Sequence, residues 1–254
     1  MHVTPAGFTF LPGTERTTPG QTSCVFGVAR GAEELVCKRL GPRALDEPWM
    51  RERLVAEGRL LALLGAHAAP RLVASGEDAH GPWLVMERLA WPPLASHAGT
   101  RDAGWLESAA GAAFEALARV HAAGVVHGDV SPDNVLVAAD GARAALVDFG
   151  LAIAPSMPAL PAGPFRGTLL YAAPEVARGE PFDGRADVFA MAASLLHVWS
   201  GEPPRLQTTD AAMLLAAGEQ GVEVWAERAS RGLAAEVARS LVARCSFDAK
   251  GRVA

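Results

Sequence analysis

The spacing of apolar residues changes character near residue 90. Before it, short apolar-rich runs at 25–29, 35–40, 71–75 and 83–87 are bounded by Gly, Pro or Asp and predict β-strands. One helix interrupts them. Between Pro48 and Leu64, the residues Met50, Leu54, Leu60, Leu61 and Leu64 recur near the helical period, and Gly65 stands where a C-terminal cap belongs. Beyond Ala90 the pattern turns helical, most clearly over 105–123, closed by Gly124, and over 185–200, closed by Gly201. The expected organisation is a small sheet-rich lobe at 1–89 followed by a larger, mainly helical lobe at 90–254. No internal repeat interrupts it, and 155–164 is the only compositionally biased stretch.

Composition narrows the class. The 254 residues are half apolar, enough to form a substantial core in one large or two small domains. A formal charge of -5 without a basic stripe argues against nucleic acid as a partner. Cys24, Cys37 and Cys245 are odd in number and lack C-x-x-C spacing, so neither a disulfide framework nor a zinc site is suggested, and a cytoplasmic location fits best. The N-terminus has no basic and then apolar leader, and the longest apolar stretch, 188–199, is too short to span a bilayer.

The chemistry is concentrated in a few runs. His127-Gly128-Asp129 leads to Asn134 with D-x-x-x-x-N spacing, and Asp148-Phe149-Gly150 follows about twenty residues after the first motif. Further on stand Gly167-Thr168-Leu169-Leu170-Tyr171-Ala172-Ala173-Pro174-Glu175, then Asp187 at the head of an apolar helix, then Arg252. In these runs the chain resembles the eukaryotic-type protein kinases, the Hanks-type Ser/Thr kinases of bacteria, from about Phe8 to Arg252. The resemblance implies an α+β, two-lobed protein-kinase-like fold: a small antiparallel-sheet N-lobe with one long helix, and a larger, mainly helical C-lobe. It also implies ATP and Mg2+ as cofactors, and a protein substrate or a regulated partner protein.

Carried over residue by residue, the resemblance gives each position a role. Asp129 would orient the attacking hydroxyl and accept its proton, with Asn134 and Asp148 as metal ligands. Lys38, on the strand Val36-Cys37-Lys38, would contact phosphates while paired to Glu57 in the helix. Val25, Val36, Met86 and Leu136 would surround adenine, and backbone groups of Glu87 and Leu89 would pair with it, although ordinary core packing competes for the apolar positions. Thr168 would hydrogen-bond near Asp129. Asp187 would accept backbone N–H groups of the catalytic loop, and Arg252 would pair with Glu175. His127 reads as a packing residue, and His67, His80, His97, His121 and His197 as ordinary positions.

Three departures from the family pattern affect activity. Aligning the glycine-rich loop puts Thr18, Gly20 and Ser23 at its three glycine positions, so only Gly20 keeps the residue type, although the Ser23 hydroxyl can donate to phosphate. Gly128 replaces an arginine that in many relatives pairs with a phosphate on the activation segment. Ser131 stands where Ser/Thr-specific members carry a catalytic lysine, and loss of one such preorganised cation costs about 3 kcal/mol of transition-state stabilisation. Three functions therefore compete: a Ser/Thr protein kinase, a pseudokinase scaffold or allosteric regulator, and a small-molecule kinase of the aminoglycoside-phosphotransferase type.

Overall fold

The computed structural model describes residues 3–15, 22–42, 44–65, 68–161 and 165–252. The chain divides into two compact units, Met1–Ala90 with Pro155–Pro161, and Trp91–Ala154 with Ala162–Ala254.

In the small unit five antiparallel strands form one sheet in the order β1-β2-β3-β5-β4, with β1 at Thr9–Phe10, β2 at Ser23–Arg30, β3 at Glu33–Leu40, β4 at Leu72–Asp78 and β5 at Gly81–Glu87. Strand alternation sorts its side chains onto two faces. Phe26, Cys37 and Val85 are in register, as are Val28 and Leu35, and these five are buried in one apolar cluster capped by Phe8, Phe10, Val73, Ala74 and Trp83. The opposite face carries Val25 beside Lys38 beside Leu84, and Gly27 beside Val36 beside Met86.

Helix α1, Pro48–Leu64, covers part of that second face. Pro48 occupies its first turn, where a missing N–H costs nothing, and Gly65 closes it at φ 64 with its N–H on the Leu61 carbonyl. A Cβ at Gly58 would come within 2.7 Å of Leu84 Cδ2, so glycine lets helix and sheet approach closely. The strap Pro155–Pro161 belongs to this unit, although its sequence position groups it with the large lobe. The reason is local: Arg53 of α1, buried at 3 % exposure, donates to the Pro158 carbonyl, and Met157 is buried at 8 %.

The large unit is built on helices α2, Ala103–Ala122, and α4, Gly184–Ser200. Asp102 caps α2 by accepting the Trp105 N–H at 2.8 Å, and Asp183 and Gly201 bound α4. From Ala186 to Leu196 every residue of α4 is buried, as expected of a helix apolar all round. A two-stranded ribbon of β6, Val135–Val137, and β7, Ala144–Leu146, lies against α2. Short helices follow: α3 at Pro174–Ala177, α5 at Asp210–Glu219, α6 at Glu223–Ala229 and α7 at Ala235–Arg244. The last three were not marked by the apolar pattern, because their buried faces are small; α7 buries only Leu241. Among the described residues, no helix is long and apolar enough to cross a membrane.

Arg252 is held at several points. Its Nη2 meets Glu175 Oε2 at 3.0 Å, its Nε donates to the Ser246 carbonyl at 2.8 Å, and its guanidinium lies 4.8 Å from the Phe189 ring centre. The Arg252 side chain is fully buried. Removing one partner from such a pair strands the other charge. Glu175→Ala is therefore expected to cost about 3 kcal/mol in urea unfolding, whereas the apolar double substitution Glu175→Leu with Arg252→Met recovers much of that loss.

Candidate active site

Lys38 is the chemical centre of the small unit. Its Nζ lies 2.7 and 2.8 Å from the two carboxylate oxygens of Glu57, and both side chains are nearly inaccessible, at 6 % and 2 %. The strand sets the lysine on the face opposite the apolar cluster, and α1 brings the glutamate to it. Val25, Val36 and Met86 share that face with Lys38, and Ser23, paired to Leu40, continues it. Val25, Val36 and Met86 remain half-buried, unlike the closed cluster behind them. Glu87 ends β5, and its backbone N–H is committed to the Arg71 carbonyl at 2.9 Å, so that N–H does not serve a base edge. Leu89 follows the strand and is half-buried. Thr18 and Gly20 lie outside the described residues.

In the large unit the site is suspended from Asp187. Buried in the first turn of α4, its carboxylate accepts the backbone N–H of His127 at 2.7 Å and of Gly128 at 2.9 Å, and His121 Nε2 stands 2.9 Å away. His127, itself fully buried, receives the Asp129 N–H on Nδ1 at 3.3 Å. Its Nε2 therefore carries the proton and donates to the Val147 carbonyl at 3.0 Å, which ties the catalytic loop to the segment that leads into Asp148. The ring packs against Phe149, 4.8 Å between centres.

This frame holds Asp129 between two donors. Oδ1 accepts from the Thr168 N–H at 2.8 Å and from its hydroxyl at 2.9 Å, while Asn134 Nδ2 reaches Oδ2 at 3.2 Å and the Asp129 carbonyl at 2.9 Å. Gly167 makes the approach possible: its φ is +107, and a Cβ there would lie 3.3 Å from Asp129 Oδ1. Burial raises the Asp129 pKa above the ordinary carboxylate value; the Thr168 hydroxyl and His127 oppose that rise, and Asp148 adds to it. Because Asn134 spends its N–H groups on Asp129, its carboxamide oxygen is the atom left to serve a cation. Asp148 is the one non-glycine residue with positive φ among the described residues, at 65°, and its Oδ1 accepts the Gly150 N–H at 3.2 Å. A carboxylate and an amide oxygen are the hard donors that Mg2+ prefers.

The remaining predicted positions are placed as follows. Leu136 sits on β6 opposite Ala145, half-buried between the fully buried Val135 and Val137, and is bridged to Pro93. Ser131 is 2 % exposed, and its carbonyl closes a turn with the Asn134 N–H at 3.0 Å, so no cation projects from that position. Two histidines taken as ordinary prove to be structural parts of the site: His121, on Asp187, and His197, whose Nδ1 lies 2.7 Å from the Tyr171 hydroxyl. Burial lowers the His197 pKa, and burial with nearby Asp133 raises that of Tyr171, so the phenol donates to a neutral ring. Neither histidine stands at a metal-ligand spacing, and nothing else in the sequence around them marks these tertiary contacts.

Comparison with known proteins gives the same direction. The model of the protein kinase domain family matches residues 18–245. The chain is 34 % identical over 175 residues to the serine/threonine-protein kinase Pkn1 of Myxococcus xanthus, an alignment covering 66 % of this chain and 25 % of that protein. To the probable serine/threonine-protein kinase PkwA of Thermomonospora curvata it is 29 % identical over 178 residues, 68 % of this chain and 24 % of that one. To the DNA damage-responsive serine/threonine-protein kinase RqkA of Deinococcus radiodurans it is 35 % identical over 172 residues, 65 % and 26 % respectively. The match thus spans about a quarter of each of these relatives.

Gly128 has a steric reason to lack a side chain. Its φ is +76, and a Cβ would lie 2.8 Å from the Leu151 carbonyl oxygen. The left-handed backbone alone costs an L-residue about 1–2 kcal/mol. Gly128→Ala is expected to lose more than that in chemical unfolding, whereas Gly99→Ala, at φ +66 with nothing within 4 Å, loses only the backbone share.

Proposed function

Because the chain belongs to the protein kinase domain family, we propose that it transfers the γ-phosphoryl group of ATP, with Mg2+, to Ser or Thr hydroxyls of protein substrates. The observation that carries this is the Asp129 carboxylate held between Thr168 and Asn134 in a loop hung from Asp187. That geometry suits a group that must point at one hydroxyl and take its proton.

The steps follow from the residues. Asp129 aligns the substrate hydroxyl and receives its proton as the oxygen bonds to the γ-phosphorus; the bond from that phosphorus to the β–γ bridging oxygen breaks, and ADP leaves. Thr168 and Asn134 keep the carboxylate aimed during this exchange. Lys38, held by Glu57, binds phosphate oxygens as a fixed point charge. The Asn134 and Asp148 oxygens would hold Mg2+, which when bound neutralises charge on the phosphates. Ser23, Val25, Val36 and Met86, together with the Glu87 carbonyl, Leu89 and Leu136, are assigned to nucleotide binding. The acceptor is a protein rather than a small metabolite because Gly167–Glu175 supplies an ordered segment beside Asp129 on which a polypeptide can lie.

A pseudokinase role has one specific support: the buried Ser131 supplies no cation to the transferring group. The two roles separate experimentally. Asp129→Asn should lower phosphotransfer by about a hundred- to ten-thousandfold while the thermal shift caused by Mg-ATP persists. Wild-type protein that ignores Mg-ATP, or transfer that survives the substitution, would reject the enzyme.

The acid limb of the pH–rate profile follows from the Asp129 pKa. The carboxylate works ionised, so activity is present above its pKa and lost as pH falls through it; burial places that limb above the usual carboxylate range. The Thr168 hydroxyl stabilises the ionised form, so Thr168→Val should move the limb to still higher pH in initial-rate measurements.

A further inference from the structure

The segment after Thr168 is a single 3-10 turn, Leu169–Tyr171. One such turn has strained hydrogen-bond geometry and does not hold itself. It is tied down at three points. Thr168 is bonded to Asp129, and the Tyr171 hydroxyl to His197. The third tie belongs to no sequence motif: Arg205 Nη1 donates to the Leu170 carbonyl at 2.8 Å.

Arg205 is an odd residue for that task. It is 6 % exposed, its guanidinium lies 5.8 Å from the Phe189 ring centre, and its Nε and Nη2 have no acceptor among the described residues. Burial draws its pKa down to about 10, so it is still a cation at neutral pH. A buried charge that makes one bond to a neutral carbonyl and leaves two donor groups unpaired costs more stability than it returns. An apolar side chain of similar length would fill the same space without that cost.

We propose that Arg205 is a positioning residue for the phosphoacceptor: its hold on the Leu170 carbonyl fixes the turn against which the substrate polypeptide lies. The proposal rests on the phosphotransfer function proposed above. It assigns to Arg205 binding of the protein substrate and not of the nucleotide, which contacts none of these atoms in the scheme above.

The test uses the whole chain with Arg205→Met and Arg205→Lys. For Arg205→Met the melting temperature should stay level or rise, while KM for a peptide or protein acceptor rises about tenfold and KM for ATP and the rate of ATP hydrolysis to water do not change. Arg205→Lys, which keeps a donor for Leu170, should recover most of the acceptor KM. A fall in melting temperature with unaltered acceptor kinetics, or no difference between the Lys and Met variants, overturns the proposal. Should wild-type protein transfer no phosphoryl group, the proposed function fails by itself, and amide hydrogen exchange decides for Arg205. Faster exchange in Arg205→Met confined to residues 169–172 supports the anchor; unchanged exchange there removes it. Should Arg205→Met not fold, Arg205→Leu, which likewise removes the donor to Leu170, takes its place in the same kinetic and exchange measurements.

Discussion

The carboxylate of Asp187 accepts two successive backbone N–H groups, those of His127 and Gly128, and has His121 at its flank. Bonds of this charged kind are each worth about 1.5–3 kcal/mol. The loop they hold has little regular structure of its own, so its shape depends on that one buried acid in α4. From there the order propagates outward: His127 is oriented, Asp129 follows in sequence, and Asn134 and Thr168 close on Asp129 from two sides. Placing Asp187 on the most deeply buried helix of the large unit gives the loop a rigid support.

The small unit reaches comparable order by a different division of labour. Its sheet puts Phe26, Val28, Leu35, Cys37 and Val85 on one face to supply cohesion, which frees the other for Lys38. A buried ammonium is tolerable only with a partner that satisfies it, and Glu57 bonds it through both oxygens. Gly58, the next residue of α1, gives the helix the clearance over Leu84 that this short ion pair requires. Packing and charge placement are thus solved by adjacent residues of one helix.

Much of this was legible in the chain because period and motif spacing are local signals. The strands 23–30 and 81–87 were expected a few residues shorter, and α1 was expected at its observed bounds, since Pro48 and Gly65 mark its ends chemically. Asp129, Asn134, Asp148 and Thr168 could be named because their spacing is specific. What escaped were contacts that depend on tertiary closeness. His121 and His197 gain their roles from residues 66 and 26 positions away, and Arg205 from one 35 away. The commitment of the Glu87 N–H to Arg71 is likewise a property of sheet pairing that composition does not reveal. Ser131 could be named as the position where relatives carry a lysine, but its burial and the turn its carbonyl closes with the Asn134 N–H depend on the folded loop.

The strap Pro155–Pro161 makes the small unit discontinuous along the chain. During vectorial synthesis the first ninety residues emerge long before the segment that covers α1, so the helix bearing Glu57 spends that interval with one wall missing. Three prolines within the strap limit the shapes it can sample once made, which lowers the entropy lost when it docks on Arg53. The contact between Arg53 of α1 and Pro158 of the strap can therefore be made only after the catalytic loop has been translated.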